Sequence, residues 1–287
     1  MRKSYKPTDA EILAAELRPG QSVALLQALH ILTRDGKLNQ DSRRKLKQVY
    51  HLYQFIEKIL VELTTSDQSL TVADHGAGKS YLGFILYDLF MKARPSAYIY
   101  GIEAREELVA KSRALASELG FDRMSFIASS VAEATESNLL PAQIDVVTAL
   151  HACDTATDDA IRFGRLKRAK FMVLVPCCQA EVSRALSLDK ARSLSRTPLA
   201  ELWRHPLHTR ELGSQLTNVL RCLGLEASGY QVTVTELVGW EHSLKNELII
   251  ARHIGESGKS RAAKVRLAAL LAEFGLESLL ETRFAPA

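Results

Sequence analysis

Residues 72–83, Val-Ala-Asp-His-Gly-Ala-Gly-Lys-Ser-Tyr-Leu-Gly, close an apolar strand with an acid and a Gly-x-Gly turn, then open an amphipathic helix. That order commits the chain to a βαβ unit with a ligand-binding loop at the carboxyl end of its first strand. What the loop lacks narrows the ligand. A phosphate-binding P-loop needs a glycine five positions before the Gly78-Lys79-Ser80 triplet, and that position is Ala73, inside the strand. A dinucleotide loop needs a third glycine three residues after Gly78, where the helix presses on the strand, and Tyr81 stands there. Asp74, His75, Gly76 and Gly78 then form a loop whose backbone can approach a cofactor without phosphates. S-adenosylmethionine answers that description.

A second apolar run, Ala97-Tyr98-Ile99-Tyr100-Gly101-Ile102, also ends in an acid, Glu103. At the carboxyl edge of a parallel strand, its carboxylate can accept hydrogen bonds from both hydroxyls of a ribose. The plainer alternative is that Glu103 caps the following helix. Ser130 and Leu150, at or just past the ends of the third and fourth strand-like runs, complete the candidate cofactor-binding set.

A chain of 287 residues can bury a full α/β core and carry a small appended domain. No apolar run is long enough to cross a bilayer and the N-terminus opens on polar residues, so no membrane partner and a cytoplasmic location are expected. Four cysteines, Cys153, Cys177, Cys178 and Cys222, are too few and too irregularly spaced for a disulfide framework and read as reduced thiols. The net charge is +4, but it is unevenly spread. Six cations between Arg34 and Lys47 face Asp35 and Asp41, and eleven between Arg162 and Arg210 face Glu181, Asp189 and Glu201. Such runs suit a polyanion, which makes RNA the expected partner; no DNA-specific motif is present, and a solvated basic face is the alternative. The oligomeric state is open.

Residues 1–65 read as an N-terminal helical subdomain, with Asp9 as a cap, helical spacing over Ser22 to Leu32 and again over Arg43 to Leu63, and a turn at Thr33 to Lys37. Residues 66–256 alternate strands with helices. Leu70–Ala73, Ala97–Ile102, Met124–Ala128, Ile144–Leu150 and Phe171–Val175 are five strands, which predicts a doubly wound parallel sheet. A polar, proline-containing stretch, Ser183 to His208, interrupts the pattern before a helix at Glu211 to Leu223. Gln231–Val238 and Glu247–Arg252 then form a terminal hairpin, and 257–287 form a helical tail that buries Leu267, Leu270, Leu271, Phe274 and Leu279.

Ligands of an open parallel sheet bind beyond the carboxyl ends of the strands. That rule selects Leu150-His151-Ala152-Cys153-Asp154-Thr155-Ala156-Thr157-Asp158 after the fourth strand and Pro176-Cys177-Cys178-Gln179 after the fifth. It also selects Glu241-His242-Ser243-Leu244-Lys245-Asn246 within the hairpin. These strings resemble a bacterial family of class I S-adenosylmethionine-dependent methyltransferases, and the likeness covers most of residues 34–252. It implies an α/β, doubly wound, seven-stranded Rossmann-like sheet with an N-terminal helical subdomain. A weaker similarity, on His151, Cys153, Ala156, Thr157, Asp158 and Cys177-Cys178, links the chain to eukaryotic tRNA 2′-O-methyltransferases of the acceptor stem, which implies tRNA or rRNA as substrate. Those enzymes have glycine where Asp154 stands and histidines where Gln179-Ala180 stand, and Ser130 occupies a place where an acid often meets the adenine amino group.

Three chemistries fit these residues. The site can position a nucleophile in line with the methyl group, with His151, Asp154 or His242 taking a proton. Cys153 and Cys177 can act as a covalent pair on a pyrimidine. His151, Cys153, Cys177 and Cys178 can bind zinc, although adjacent cysteines suit one tetrahedral ion poorly and no metal is expected. The plainer alternative has the cysteines packing beneath the cofactor. The rival functions are a small-molecule or protein methyltransferase and a non-catalytic S-adenosylmethionine-binding factor associated with RNA.

Overall fold

The computed structural model describes residues 9–64, 69–130, 133–134, 137–150, 154–176, 179–189, 197–237 and 247–284. Seven strands form one sheet in the order β3-β2-β1-β4-β5-β7-β6. They are β1 (Leu70–His75), β2 (Ala97–Glu103), β3 (Met124–Ala128), β4 (Val146–Leu150), β5 (Phe171–Val175), β6 (Tyr230–Glu236) and β7 (Glu247–His253). The first five are parallel, and β7 runs antiparallel to both β5 and β6. This is the seven-stranded class I methyltransferase arrangement, with Rossmann-like crossovers. β3 and β5 have their expected bounds, whereas β1 and β2 continue through the polar residues that close them, because parallel pairing extends to His75↔Ile102 and Glu103↔Ala128.

Helices cover both faces. On one lie α1 (Asp9–Glu16), α2 (Val23–Ala28), α3 (Gln40–Leu63), α4 (Tyr81–Leu89) and α5 (Glu106–Glu118). Leu25, Leu46, Ile56 and Leu60 of the N-terminal helices share one apolar cluster with Val72, Phe84, Ile99 and Val146. Each such fully buried aliphatic side chain stabilises by about 1.5–3 kcal/mol. The opposite face holds α6 (Ala156–Leu166) and α8 (Pro206–Ala227), where Phe163, Ile161 and Leu225 pack on Ala73, Val147, Leu174 and Ile249. A third cluster joins α8 to α7 (Glu181–Asp189) and α9 (Gly258–Phe274) through Val182, Leu186, Leu220, Leu267 and Leu271.

Four expectations need correction. The helix read over Ser22 to Leu32 stops at Ala28, because His30 takes a left-handed φ of 55°, although Leu29, Ile31 and Leu32 stay buried. The stretch read as an interruption from Ser183 contains α7, held by burial of Val182 and Leu186. α8 begins at Pro206, earlier than read, since proline fits the first helical turn. The tail helix ends at Gly275, whose φ of +66° closes the last turn, and Leu279 and Phe284 fold back into the third cluster. The turn at Thr33 to Lys37 forms as read, with the Gly36 N–H donating to the Thr33 carbonyl at 2.9 Å.

The eleven cations of Arg162 to Arg210 do not make one surface. Residues 165–170 turn from α6 into β5 at the amino edge of the sheet, where Lys170 pairs with Asp145 at 2.9 Å and its carbonyl accepts from His253 at 2.8 Å. Arg184 and Arg210, in contrast, stand in the first turns of α7 and α8 and Arg204 just before α8, at the carboxyl rim. Among the described residues no helix is long and apolar enough to cross a membrane.

Candidate active site

The cofactor loop is shaped by backbone conformations that only small residues adopt freely. Gly76 and Gly78 have φ of +64° and +58°, and Ser80 enters α4 at φ 51°. The loop is tied to β2 by the Ala77 N–H on the Ile102 carbonyl at 3.0 Å and by the Gly78 N–H on Glu103 Oε2 at 2.8 Å. Glu103 also accepts from the Arg105 backbone N–H at 3.1 Å and from Arg105 Nε at 2.8 Å. Burial pushes its pKa upward, but these Arg105 and Gly78 contacts outweigh that and hold the carboxyl below its usual range. Glu103 is therefore an anion at the rim, ready to accept further hydrogen bonds.

Asp74 lies one layer down. It is 2% exposed and accepts from Thr148 Oγ1 of β4 at 2.9 Å and from Ser80 Oγ at 3.4 Å. Burial raises its pKa to about 6, against the lowering contributions of Thr148, Ser80 and the Gly83 N–H. It fastens the loop to β4 and to the start of α4. His75 points to the other face of the sheet, beside the Phe163 ring at 5.9 Å, and neither ring nitrogen has a hydrogen-bond partner. Burial, opposed by the nearby Glu103 charge, lowers its pKa to about 4, so the imidazole is neutral near pH 7. The tight approach of helix to strand that Tyr81 could not provide is supplied by Gly83: a Cβ there would stand 2.5 Å from Ser80 Oγ and 3.6 Å from Ile99 Cγ2. A glycine five residues past Gly78 was the overlooked signal.

The remaining members of the cofactor set sit on the same rim. Leu150 is half-buried at the end of β4. Ser130 is exposed, and its N–H and Oγ both donate to Glu133 Oε2, at 2.9 and 2.7 Å. Glu133 thus places a carboxylate beside Ser130, and the Ser-x-x-Glu spacing of a capping box is visible in the sequence. These residues fit S-adenosylmethionine: positive-φ glycines and a carboxylate beyond β2 stand together at the rim without a phosphate cradle, next to a buried imidazole with unpartnered nitrogens.

Of the candidate catalytic residues, His151, Cys153, Cys177 and His242 lie outside the described residues, as does Cys178. Asp154 adopts φ 51° and its Oδ1 accepts from the Ala180 and Glu181 N–H groups at 2.9 and 3.2 Å, while Oδ2 accepts from Arg184 at 3.0 Å. Partial burial raises its pKa, but the contacts from Ala180, Arg184 and Glu181 lower it more. The carboxylate therefore joins the segment after β4 to the start of α7 after β5. Thr155 precedes α6 without a side-chain cap bond.

A buried polar cluster that the sequence reading missed lies beneath this rim. Arg221 of α8, 1% exposed, makes a two-pronged pair with Asp158, both bonds 2.7 Å, and also donates to the Asp154 carbonyl at 2.8 Å. Asn218 Oδ1 accepts from Arg221 at 3.2 Å and from Gln179 at 2.8 Å, and Asn218 Nδ2 donates to Glu247 at 2.7 Å. Ser214 donates to Gln179 Oε1 at 2.7 Å. Ser214, Asn218 and Arg221 recur at helical spacing along α8, a polar stripe that could have flagged them.

Residues 44–185 match the family model described as a methyltransferase domain. A "Glutathione S-transferase C-terminal domain-containing protein" of Xenopus laevis is 24% identical over 238 residues, covering 77% of this chain and 36% of that protein. The protein of the same name from Homo sapiens is 24% identical over 234 residues, covering 76% and 34%. The chain spans about a third of the length of the curated relatives it matches. Among solved structures, magnesium protoporphyrin IX methyltransferase of Synechocystis with bound SAH is 16% identical, covers 81% of this chain and 95% of that one, and has a TM-score of 0.45. An rRNA methylase of Streptococcus thermophilus is 11% identical, covers 70% and 95%, and has a TM-score of 0.41. Just under half of the chain, residues 44–185, thus resembles a methyltransferase domain, and the loop geometry above fits S-adenosylmethionine as the methyl donor.

Proposed function

We propose that the chain methylates RNA, either tRNA or rRNA, with the acceptor held over the carboxyl ends of β4 and β5 and the start of β7. The observation that carries this reading is the distribution of exposed cations along the rim: Lys79 after β1, Arg105 after β2, Arg184 on α7, and Arg204 and Arg210 around the start of α8. They sit on the side of the sheet where the cofactor loop lies, and phosphate contacts there would orient a polyanion without reading its sequence.

In this reading Gly76 and Gly78 let the loop backbone close on the cofactor, Glu103 accepts from the ribose hydroxyls, and His75, Ser130 and Leu150 line the pocket. Asp74 holds the loop from below. The cofactor supplies an electrophilic methyl group on a sulfonium. The residues after β4 and β5 orient the acceptor and exclude water. His151 and His242 are the candidate proton acceptors, Cys153 and Cys177 the candidate nucleophile pair, and Asp154, already occupied by three donors, fastens the two segments together.

The test is transfer of a radiolabelled methyl group from S-adenosylmethionine to separate pools of total RNA, protein and small metabolites. Label in RNA that is lost on ribonuclease treatment and at high salt is the expected result. Label confined to protein or metabolites would overturn the RNA assignment, and no label with cofactor binding intact would make the chain a non-catalytic binding factor.

A further inference from the structure

The Arg221 cluster occupies an unusual place. It joins the segment after β4 (Asp154, Asp158), the segment after β5 (Gln179) and the first residue of β7 (Glu247), three stretches far apart in sequence. All three are at the carboxyl rim, since β7 runs antiparallel and its start pairs beside the end of β5. Every link is made by a planar group, a guanidinium or an amide, whose hydrogen bonds have fixed directions.

Stability alone does not explain such a cluster. A buried ion pair is commonly replaceable by apolar side chains of similar volume without loss of stability, so what the polar version adds is a defined geometry. The donor side is braced differently: Asp74 and Glu103 are held by Thr148, Ser80, Gly78 and Arg105.

We propose that Arg221 and Asn218 are positioning residues for methyl transfer. They fix the three acceptor-side segments relative to one another and so set where the acceptor stands against the methyl group. The inference rests on the acceptor site proposed above. Gln179, where the tRNA enzymes place a histidine, then serves this cluster, because both ends of its amide are engaged inside it.

Two variants of the full chain test this. Asn218→Leu removes the links to Gln179 and Glu247 and leaves the Arg221 pair with Asp158 in place. Asp158→Leu with Arg221→Met removes the charges together and keeps the volume, which guards against simple unfolding. The first readout needs no substrate: hydrogen exchange followed by mass spectrometry over residues 150–160, 176–182 and 240–248. In both variants exchange should quicken at all three stretches by roughly ten-fold or more, with residues 70–80 and 97–105 unchanged. The second readout is turnover in whichever pool the wild type labels. It should fall by about 10- to 100-fold while the KM and calorimetric affinity for S-adenosylmethionine stay within about two-fold.

Exchange that quickens only within α8, turnover that does not change, or cofactor affinity that falls in step with turnover would each overturn the proposal. Label in protein or metabolites would remove the RNA assignment yet leave this comparison intact, and a wild type that labels nothing leaves the exchange measurement to decide.

Discussion

The half of the rim proposed to hold the methyl donor and the half proposed to hold the acceptor are held by different means. Around β1 and β2 the shape comes from backbone: two positive-φ glycines, one left-handed serine, and a carboxylate that accepts main-chain N–H groups. Around β4, β5 and β7 it comes from long side chains that reach between elements, as from Arg221 to Asp158 and from Asn218 to Gln179 and Glu247. The cofactor is a fixed molecule and a fixed loop suits it. An acceptor site built from side chains can change its substrate by substitution while the donor loop stays as it is.

The largest test of this contrast is Arg221→Ala, which leaves the Asp158 carboxylate buried without its partner. A loss of about 3–5 kcal/mol in urea unfolding is expected, with Asp158→Leu plus Arg221→Met recovering most of it. If the single and double variants are equally unstable, apolar volume cannot stand in for the ion pair and the unpaired Asp158 charge is not the cause of the loss.

Next comes a pair of opposed titrations at the floor of the donor loop. His75, with its pKa lowered from 6.5 to about 4, contributes stability that is whole above pH 6.5 and is lost as the pH falls toward 4. Asp74, raised from 3.8 to about 6, contributes stability present below pH 3.8 and lost as the pH rises through about 6. The two adjacent residues therefore offset each other across the same window. Relative to wild type, His75→Leu should gain about 3 kcal/mol between pH 6.5 and pH 4, and Asp74→Asn should lose a similar amount over that fall. Denaturation midpoints at the two pH values read both, and parallel curves for all three proteins would show that folding shifts the pKa of neither group.

A smaller effect is expected for Glu103→Gln, which keeps the shape and removes the charge at the end of β2. Affinity for S-adenosylmethionine should fall by about ten-fold in calorimetry, since charge-assisted hydrogen bonds become neutral ones. Unchanged affinity would move the ribose contact elsewhere. The smallest belongs to Arg266→Ala, which removes a surface pair with Glu226 at 2.7 Å on the outside of α9. A change within about 0.5 kcal/mol is expected, and a larger one would mean that the tail bears on the rim.

The same contrast explains what could be read in the sequence. The donor half was legible because its parts are local: strand, acid, Gly-x-Gly and helix lie within a dozen residues, and Glu103 follows at the next strand end. Gly83 was missed only because the close contact fell five residues after Gly78 instead of three. The acceptor half was not legible in this way. Arg221 lies 63 residues from Asp158, and the helical spacing of Ser214, Asn218 and Arg221 does not by itself name the partners that they meet. α7 was read as part of a break because its start is fixed by Asp154, 27 residues upstream of Glu181, and because the leucine that buries it meets α8 and not its own neighbours.

The strand order has a consequence for how the chain is made. β7 lies between β5 and β6, and among the described residues β6 pairs with no other strand. While a ribosome is still adding residues up to His253, the outer side of β5 therefore stays an open row of amides and carbonyls, and β6 has no sheet to join. Slow synthesis or a weakened β7 would lengthen that interval, during which β5 can pair with another chain, so aggregation of nascent protein is the hazard this topology carries.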